Sequence, residues 1–463
     1  MYFSNSNFSS YYHQNKLKKL NKYFFIFIIL SITTTNIYSQ NKYSLGKCID
    51  SALKNNYDLI YTAYQKNYNN AVIKTAWGAY LPSVNMNAGY SRTIGNTDNI
   101  ISLNSYSLQL QSNLLLYDFG RREKNYQIAN NNSKITDLHI KYMTEQLKLN
   151  VYSQFVNIIR LTEITKTRKE DIEVSKIQLD NLKARFDAGI IPIDPVLSQE
   201  AELGNKEIQL LQSEIEVNTA KQILLTTMGL NPTNEIDFDP ANDIPDNISK
   251  NETISFRNTI GNLQNAINLA LNNRLDYSTQ KLNNENTKLS TDVANANYFP
   301  TLSASLGYGW HNNEIQSFDK SQGTLGVNLN IPIFNNFNTE LQVQQAELNF
   351  QKENTTFLKL EQSIKAEVQT AYFNLEAAEK SIEIAEKSII AAKRNYEAVK
   401  EKMNIGTATI TDYITANTQY VAAQINKITA TYIYLNSKRN LLFVIGKYEE
   451  ILINQAEHLY YSR

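Results

Sequence analysis

Few side chains of this sequence could do chemistry at a defined place, and the most distinctive of them is an aspartate in a short turn-like stretch. The segment "IGTATITDYITANTQY" (405–420) puts Asp412 shortly after Gly406, between two long helical patterns. Near the start of a helix, a carboxylate meets unpaired backbone N–H groups and the positive end of the helix dipole. The sequence therefore predicts that Asp412 stabilises the start of a helix.

A second stretch repeats this order of residues much earlier in the chain. In "AGIIPIDPVLSQEAEL" (188–203), Gly189 precedes Asp194, and Pro195 suits the first turn of a helix. Asp194 aligns with Asp412 only if one gap is allowed in the turn. Helix capping is therefore the role we expect of Asp194.

No set of residues in the sequence resembles a catalytic site. The four histidines are scattered without the spacing of metal ligands: His13, His139, His311 and His458. The sequence contains no G-x-S-x-G, no glycine-rich phosphate loop and no H-E-x-x-H. The formal net charge is zero and the basic residues are dispersed, so nucleic acid finds no electrostatic target. The sequence predicts a protein that is not an enzyme, needs no metal or other cofactor, and binds no nucleic acid.

The N-terminus has the composition of a secretory signal peptide. A basic segment (16–22) precedes an apolar core (23–32), and Ser39 is a suitable last residue before cleavage. This core is too short for a membrane-spanning helix, which needs about 20 residues. Because the rest of the chain has no apolar run of about 18 residues, any other membrane crossing must use strands. The single cysteine, Cys48, can form no internal disulfide and is expected in a packed helix.

The remainder of the chain reads as one unit written twice. Four stretches match in the same order, at an offset of 218 residues for the first two and 217 for the others: "ALKNNYDL" (52–59) with "ALNNRLDY" (270–277), "AYLPSVNMNAGY" (79–90) with "NYFPTLSASLGY" (297–308), "LLLYDFG" (114–120) with "IPIFNNF" (331–337), and "TMG" (227–229) with "VIG" (444–446). The sequence therefore predicts a tandem duplication.

Each unit is predicted to run through a helix, two strands and a long helical hairpin, in a mixed α+β fold. The opening helices are predicted over about 44–78 and 262–296. The polar stretch 230–256, rich in Pro, Asn and Asp, links the two units and is predicted as loop with little helix. The predicted parts are the signal peptide 1–39; the first repeat 40–229, with strands at about 83–92 and 105–117 and a hairpin at 120–228; the linker or equatorial region 230–261; the second repeat 262–446, with strands at about 301–311 and 323–333 and a hairpin at 337–446; and a C-terminal tail 447–463.

The predicted strands alternate strictly between apolar and polar residues. The apolar sets include Leu108, Leu110, Leu306 and Leu329, and the opposite faces carry Ser, Asn, Gln and Gly. Such strands form either a sheet on a soluble core or a transmembrane barrel with lipid outside and water inside. The signal peptide, the strand length and the repetition favour the barrel. Four strands cannot close one, because eight is about the smallest number with a filled interior. A membrane barrel therefore requires several chains to pool their strands.

After its strands each unit enters a very long helical stretch, at about 120–187 and 337–404. At 1.5 Å per residue, each stretch spans roughly 100 Å. The second stretch keeps a 4-3 apolar spacing with alanine at every seventh position of one seam, and the return helices carry heptads of their own. The sequence predicts two antiparallel coiled-coil hairpins whose tips are the turns at Gly189 and Gly406.

With these features the chain resembles the TolC-like outer-membrane efflux proteins of Gram-negative bacteria, from about residue 44 to residue 446. The most specific motif is "GTATITDYI" (406–414), and further motifs are "FDAGI" (186–190), "YLPS" (80–83), "YFPT" (298–301) and "YDFGRR" (117–122). The resemblance implies a homotrimer in outer-membrane lipid, in which three chains give four strands each to a twelve-stranded barrel. A long α-helical tunnel continues the barrel into the periplasm. The implied partners are an inner-membrane pump and a periplasmic adaptor that docks on the helix tips.

The resemblance also assigns roles to residues of the two turns. In the family, aspartates at the second tip face the pore and form an acidic ring, which implies a pore gate at Asp412. Thr415 stands where some members carry a second aspartate. Adaptor docking falls on the tip turns, and the matching residues are Gly189, Asp194, Gly406 and Thr407.

The sequence supports two hypotheses on function. The first is an outer-membrane exit duct of a tripartite efflux or type I secretion system, passive and gated at its periplasmic tips. The alternative is an exported structural or adhesive coiled-coil protein whose strands form a soluble sheet. The strand faces distinguish the two, because a soluble sheet has no need of two hairpins whose apolar faces both lack a covering segment.

Overall fold

The larger part of the chain is described here from a computed structural model. The described residues form four stretches: 42–93, 104–239, 248–313 and 321–448. The predicted signal peptide and the predicted tail from residue 449 onward lie outside these stretches. Within them, no helix combines the length and apolarity needed to cross a membrane.

Two compact units contain these residues. The described part of the smaller unit consists of residues 42–43 and Glu235–Asp239. It holds a short parallel ladder in which Lys42 pairs with Asp237 and Tyr43 with Phe238. Every other described element belongs to the larger unit.

Strands and helices follow one another in the same order in the two halves of the chain. The described strands are β1 Lys42–Tyr43, β2 Ser83–Arg92, β3 Asn104–Tyr117, β4 Asp237–Phe238, β5 Thr301–Asn312 and β6 Ser321–Asn330. The described α-helices are α1 Leu45–Asn55, α2 Tyr57–Gly78, α3 Arg121–Asp187, α4 Asp194–Thr227, α5 Lys250–Ile260, α6 Leu263–Asn273, α7 Leu275–Asn295, α8 Asn338–Asn404 and α9 Ile410–Val444. The long helices α3 and α8 have 67 residues each, and at 1.5 Å per residue each is roughly 100 Å long.

The larger unit has one four-stranded antiparallel sheet, in the order β2-β3-β5-β6. The pairs β2–β3 and β5–β6 are hairpins, and β3 and β5 join the two halves of the chain. The edges of the sheet are therefore β2 and β6. An open edge presents unpaired N–H and C=O groups that can pair with another strand.

The long helices pack side by side in two successive layers. Next to the sheet, α2 packs on α3, α3 on α7, and α7 on α8. Toward the hairpin tips, α4 packs on α3, α3 on α9, and α9 on α8. Each layer thus has two helices at its edges: α2 and α8 near the sheet, α4 and α8 near the tips.

The apolar core of the larger unit lies where these layers meet the shorter helices. It joins the middle of α8 to the end of α9, with α5 and α6 packed against them. Its buried members on α8 and α9 include Ile364, Val368, Ala371, Leu375, Tyr434, Leu441 and Leu442. Removing a leucine or isoleucine side chain of this kind from water stabilises the fold by about 1.5–3 kcal/mol.

The turn from β3 into α3 is made by two residues in the left-handed region. Phe119 has φ 53° and Gly120 has φ 80°. The carboxylate of Asp118 accepts a hydrogen bond from the backbone N–H of Arg122 at 3.1 Å, which satisfies a donor of the first turn. The second half of the chain builds the same turn with Phe337, a non-glycine residue, at φ 62°.

The helices predicted over 44–78 and 262–296 are each broken into two, which corrects the sequence prediction. The breaks fall at Asn56 and Arg274, both with extended backbone. Each side chain bonds the end of a distant return helix: Asn56 donates to the carbonyl of Thr227 at 3.1 Å, and Arg274 to that of Val444 at 3.3 Å. The breaks thus exist because of a long-range contact, which helical periodicity does not reveal.

Arg274 is held in place by carboxylates as well. It donates to Asp276 from Nε at 3.0 Å and from Nη2 at 2.7 Å, and to Glu367 at 2.8 Å. Burial acts to lower the pKa of the guanidinium, but the bonds to Asp276 and Glu367 outweigh burial and raise it. A buried charge is stable only when it is paired and hydrogen-bonded in this way.

The strand predicted at 323–333 is displaced: β6 spans Ser321–Asn330. Pro332 has no backbone N–H to give to a ladder, so residues 331–333 lie beyond the strand. The strands predicted at 83–92, 105–117 and 301–311 differ from the observed ones by at most one residue at an end.

The polar stretch 230–256 is predicted as loop with little helix, and its C-terminal end from residue 250 onward departs from this. Residues Lys250–Ile260 form α5. Ser249 is the N-cap, and its hydroxyl accepts a hydrogen bond from the backbone N–H of Glu252 at 3.2 Å. The Ser-x-x-Glu pattern is a known signal for the start of a helix, and it was present in the sequence.

Candidate functional site: the hairpin tips and the strand faces

The second hairpin tip joins α8 to α9 through a left-handed glycine. Gly406 has φ 77°, a conformation that residues with a Cβ adopt only at a cost. The N–H of Gly406 donates to the carbonyl of Met403 at 3.1 Å, and that of Thr407 to Lys402 at 2.8 Å. This pair of bonds is a Schellman motif, which ends a helix sharply. The hydroxyl of Thr407 also donates to Lys402, at 3.0 Å, so this side chain belongs to the turn.

Asp412 forms a capping box with Thr409 at the start of α9. The backbone N–H of Asp412 donates to the Thr409 hydroxyl at 3.2 Å. In return, the Asp412 carboxylate accepts from the Thr409 hydroxyl at 2.7 Å and from its N–H at 2.9 Å. The hydroxyl bond and then the backbone bond lower the pKa of Asp412. An exposed carboxylate so held is ionised at neutral pH.

Thr409 is thus the N-cap of α9, and Asp412 is the third residue of the helix. The sequence prediction did not distinguish these two roles. Thr415 lies one turn further on and is exposed. Its hydroxyl donates to the carbonyl of Thr411 at 2.8 Å. Of the two predicted gate residues, only Asp412 therefore brings a charge to the tip.

The first tip, between α3 and α4, uses the same backbone turn. Gly189 has φ 71°, and its N–H donates to the carbonyl of Phe186 at 2.8 Å. The N–H of Ile190 donates to Arg185 at 2.9 Å. This too is a Schellman motif.

The start of α4 differs from the start of α9, and here the expectation of capping by Asp194 is wrong. The N-cap is Ile193, and no side chain bonds to the free N–H groups of this helix end. Asp194 is the first residue of α4, one position too late to be the N-cap, and Pro195 follows it. Its carboxylate still lies in the first turn, where the helix dipole favours a negative charge.

The two tips present different side chains to their surroundings. The first tip exposes large apolar residues: Ile190 is 65% exposed, Leu197 55% and Ile193 40%. Around Asp412 the second tip exposes threonines, with Ile405 as its large apolar residue. The first tip therefore offers an apolar surface beside Asp194, whereas the second is polar around Asp412.

A buried polar cluster behind the tips ties the two hairpins together, and sequence reasoning missed it. The ammonium of Lys206 on α4 lies 2.8 Å from the carboxylate of Asp171 on α3. It also donates to the hydroxyl of Ser175, at 2.8 Å. Asn417 on α9 donates to the same carboxylate oxygen at 2.7 Å. Only about a tenth of each charged side chain is exposed. In the sequence, the one available signal was a lysine and an aspartate on otherwise packed helix faces.

Apolar contacts between the same helices lie on the tip side of this cluster. Leu179, Leu182 and Val196 are buried together, and Ile410 at the start of α9 packs against them. The first turn of α9, which carries Asp412, is therefore seated on the first hairpin.

Three tyrosines line the inside of the second hairpin. The rings of Tyr396 and Tyr420 stack with their centroids 5.5 Å apart, and the hydroxyls of Tyr396 and Tyr413 are 3.3 Å apart. Burial, and next the hydrogen bond with Tyr396, raise the pKa of Tyr413. The phenol of Tyr413 is thus a neutral part of the hairpin core.

The sheet has one apolar face, formed by rows that cross all four strands. Leu108 pairs with Ala88 on one side and Trp310 on the other. Leu110 lies between Met86 and Tyr308. In the second hairpin, Leu306 pairs with Leu325 and Leu302 with Leu329. Large side chains of this face are exposed: Leu325 82%, Met86 70%, Val327 69%, Leu306 58%, Leu329 58% and Leu110 45%. No described segment covers them.

The opposite face of the sheet is polar and carries almost no ionisable groups. One row runs from Asn87 to Gln109, Gly309 and Gln322. Among the described residues of this sheet's four strands, His311 is the one titratable side chain on this face. Amides and hydroxyls of this kind suit contact with water.

Among the described residues, no group of three or more His, Cys, Asp or Glu side chains could hold a metal ion. Cys48 is buried on α1 and has no disulfide partner.

Comparison with known proteins gives this architecture a family. The family model described as "Outer membrane efflux protein" matches residues 48–230 and 266–447. The chain is 24% identical to the outer membrane protein TolC of Salmonella enteritidis over 442 residues, which are 92% of this chain and 86% of the relative. It is 22% identical to TolC of Escherichia coli (strain K12) over 386 residues, 82% of this chain and 77% of the relative.

Solved structures show the same fold at lower sequence identity. The chain matches CusC, described by its transmembrane channel formation, with a TM-score of 0.77 at 15% identity, covering 87% of this chain and 92% of that one. It matches the CmeC outer membrane channel of Campylobacter jejuni with a TM-score of 0.74 at 19% identity, covering 87% and 85%.

The chain belongs to the outer membrane efflux protein family, because the family model spans most of its length. It is thus an outer-membrane efflux channel of the TolC-like class, with its helical part in the periplasm, and not an enzyme. The prediction of a TolC-like efflux duct is confirmed, and the alternative of an exported adhesive protein is set aside.

Proposed function

We propose that three copies of this chain form a closed duct through the outer membrane, passive and gated at its periplasmic hairpin tips. The observation that carries the proposal is the sheet: one face is apolar, the other is polar, and both edges, β2 and β6, are open. Four strands cannot close on themselves, whereas twelve enclose a water-filled lumen. In this arrangement the apolar rows contact lipid and the amides line the lumen.

The helices support the same closure. Near the sheet the edge helices are α2 and α8, and near the tips they are α4 and α8. In both helix layers and in the sheet, one edge element comes from the first half of the chain and the other from the second half. A single rotation between copies therefore places each free edge against the complementary edge of the next copy. The tandem duplication predicted from the sequence accounts for this regularity.

Aromatic side chains bound the apolar band of the sheet at both ends. Near the loops lie Tyr90, Tyr106, Tyr308 and Trp310, and near the helices lie Tyr117, Phe119, Phe299 and Phe334. From Tyr106 to Tyr117 the strand rises roughly 36 Å, or about 28 Å along the normal at a tilt near 40°, which fits the apolar height of outer-membrane barrels. Aromatic girdles mark the interfaces of such barrels.

We assign the gate and the docking surfaces to the tips. In a trimer the three Asp412 carboxylates form an acidic ring that attracts cations, with Thr415 one turn behind it. The tip turns at Gly189, Asp194, Gly406 and Thr407 are the docking surface for a periplasmic adaptor. The exposed apolar residues of the first tip are suited to that contact. The adaptor connects the duct to an inner-membrane pump, and residues 1–39 direct export as a signal peptide.

Arginine substitutions on the two faces of the sheet test the proposal. Leu306→Arg or Leu325→Arg should destabilise the membrane-inserted protein by about 2–4 kcal/mol, because these paired residues lie midway between the aromatic ends of the sheet and the charge enters lipid near the bilayer midplane. The matched controls are Ser305→Arg and Thr324→Arg, whose side chains then enter water. The amount of folded trimer recovered from outer membranes measures the difference.

Equal loss in both sets would contradict the assignment of lipid and lumen faces. A stable monomer of the unmodified chain in mild detergent, shown by mass measurement, would contradict the closed duct itself.

A further inference from the structure

We infer that a stripe of four tyrosines on α2 is the seam by which one copy of this chain packs against α8 of the next copy. The inference rests on the proposed trimer and goes beyond it, because it assigns the seam to named residues. The two surfaces are called here the tyrosine stripe (Tyr57, Tyr61, Tyr64 and Tyr68) and the α8 stripe (Leu341, Gln345, Leu348, Lys352, Thr355 and Lys359).

The tyrosine stripe is exposed and faces away from the rest of its own chain. Its rings are 64–76% exposed, and its hydroxyls make no hydrogen bond with any described residue. The side of α2 that touches α3 is fixed by Lys66, which pairs with Asp137 at 2.7 Å, and by Asn69, which donates to Thr136 at 2.5 Å. At 100° per residue the tyrosine stripe lies roughly 150° around the helix from that side. It therefore points out of the edge of the layer.

The α8 stripe has the same geometry on the other edge. Its six residues follow a 4-3 spacing and all are exposed. The side of α8 that touches α7 is fixed by Glu353, which accepts from Gln280 at 2.7 Å, and by Asn354, which accepts from Asn284 at 3.4 Å. The α8 stripe lies roughly 160° around the helix from that side. The ammonium groups of Lys352 and Lys359 make no bond with the described residues.

A row of side-chain hydrogen bonds, most of them between amides, crosses the four helices near the sheet. It fixes the height of the two stripes relative to each other, that is, their distance from the sheet along the helix axes. The hydroxyl of Ser133 on α3 donates to Asn70 on α2 at 3.5 Å, and its neighbour Asn132 accepts from Asn286 on α7 at 2.9 Å. On α7, Asn284 continues the row to Asn354 on α8. Asn70 and Asn354 therefore lie at the same height along the helices. Rotation about a three-fold axis preserves height.

At this height the tyrosines of one copy lie beside Thr355 and Lys359 of the next. Because α2 and α8 run in opposite directions, a residue that precedes Asn70 on α2 is level with one that follows Asn354 on α8. Tyr68, two residues before Asn70, therefore lies within about 1.5 Å of the height of Thr355, and Tyr64, six residues before Asn70, within about 1.5 Å of the height of Lys359. A lysine ammonium can lie over a tyrosine ring or donate to its hydroxyl, and its methylenes cover the ring edge. Both stripes gain partners in the same contact.

Disulfide trapping tests this seam. In a Cys48→Ala background, Tyr68→Cys is combined with Thr355→Cys, and Tyr64→Cys with Lys359→Cys, and native outer membranes are oxidised. The control combines Tyr68→Cys with Asn354→Cys, which is adjacent to Thr355 in sequence but faces α7 of its own chain. A disulfide needs Cα atoms within about 7 Å. The expected result is conversion of the monomer band to covalent dimers and trimers with the two seam pairs, and no such conversion with the control.

The outcomes separate the seam from the duct. A trimer that persists in mild detergent, with no cross-link in either seam pair, overturns the seam and leaves the proposed function standing. Cross-linking of the control as strongly as the seam pairs also overturns it. A monomeric unmodified chain would contradict the proposed function and the seam together.

Discussion

The two hairpin tips share one backbone turn and differ in the side chains built on it. Both end the long helix with a left-handed glycine and a Schellman motif. The return helix of the second tip then starts with a capping box between Thr409 and Asp412. At the first tip, Ile193 takes the N-cap position without any side-chain bond, and the exposed surface is apolar.

This difference shows that one backbone turn can carry two different surfaces. The turn needs only a glycine and the carbonyls of the preceding helix, so the residues after it are free to change. At the second tip those residues hold a carboxylate that stays ionised. At the first tip they form an apolar surface. The shared turn and the buried polar cluster hold both tips in place, and the variable positions decide what each tip contacts.

The largest expected effect comes from breaking the buried cluster that ties the hairpins together. Lys206→Met should lower the free energy of unfolding by about 3–5 kcal/mol, because the Asp171 charge is left buried with only Asn417 and no counter-ion. The control is Lys183→Met, which breaks the exposed pair with Glu200 and should cost less than about 1 kcal/mol. Thermal unfolding in detergent, followed by circular dichroism, measures both. Equal shifts would mean that burial gives the Lys206–Asp171 pair no more weight than an exposed ion pair.

Replacing the tip glycines tests whether the two turns are equivalent. Gly189→Ala and Gly406→Ala should each destabilise the protein by about 1–2 kcal/mol, the cost of a left-handed residue with a Cβ. Neither added Cβ meets an atom within 4 Å, so strain alone acts. Gly204→Ala, inside α4 and equally unobstructed, should instead stabilise by roughly 0.5–1 kcal/mol. Chemical denaturation measures the free energy of unfolding of each variant. A large difference between Gly189→Ala and Gly406→Ala would show that the two turns are not equivalent.

Removing the charge from each tip tests the assigned gate. Asp412→Asn should reduce the cation preference of the channel in planar bilayers and weaken block by divalent cations, because a ring of charges is lost from the narrow end. Asp194→Asn should leave both properties unchanged, since only the second tip is proposed to face the pore. Unaltered selectivity together with lower thermal stability in Asp412→Asn would reduce this aspartate to a helix-stabilising residue.

The smallest expected effect concerns the pH dependence of the second tip. The bonds from Thr409 lower the pKa of Asp412, so their contribution is present above the ordinary carboxyl pKa, about 3.9, and is lost as pH falls below it. Thr409→Ala should raise the pKa of Asp412, so that acid abolishes cation preference at a higher pH. Thr411→Ala, which keeps both bonds, should behave like the unmodified channel. Identical pH profiles for all three proteins would show that the capping box does not set the charge.

The sequence predicted much of the fold because its elements have strong local periods. Alternation placed Leu108 and Leu329 on the apolar face, and the register confirms both positions. Glycine before a new helical pattern located the two tips. The capping by Asp194 was wrong because the N-cap position falls on Ile193, one residue before the acid, and a difference of one position lies below the resolution of such patterns.

The sequence by itself determined which faces are apolar, where the long helices turn back and which family motif the second tip carries. These properties follow from the side-chain period of 2 in strands and 3.6 in helices and from the freedom of glycine. Only the tertiary structure decided which helices meet. It brings Asp171 and Asn417 within 2.7 Å although they are 246 residues apart in the chain, and it breaks the first helix at Asn56 to reach Thr227. Such contacts depend on the packing of whole helices, and a local pattern of residue types carries no information about them.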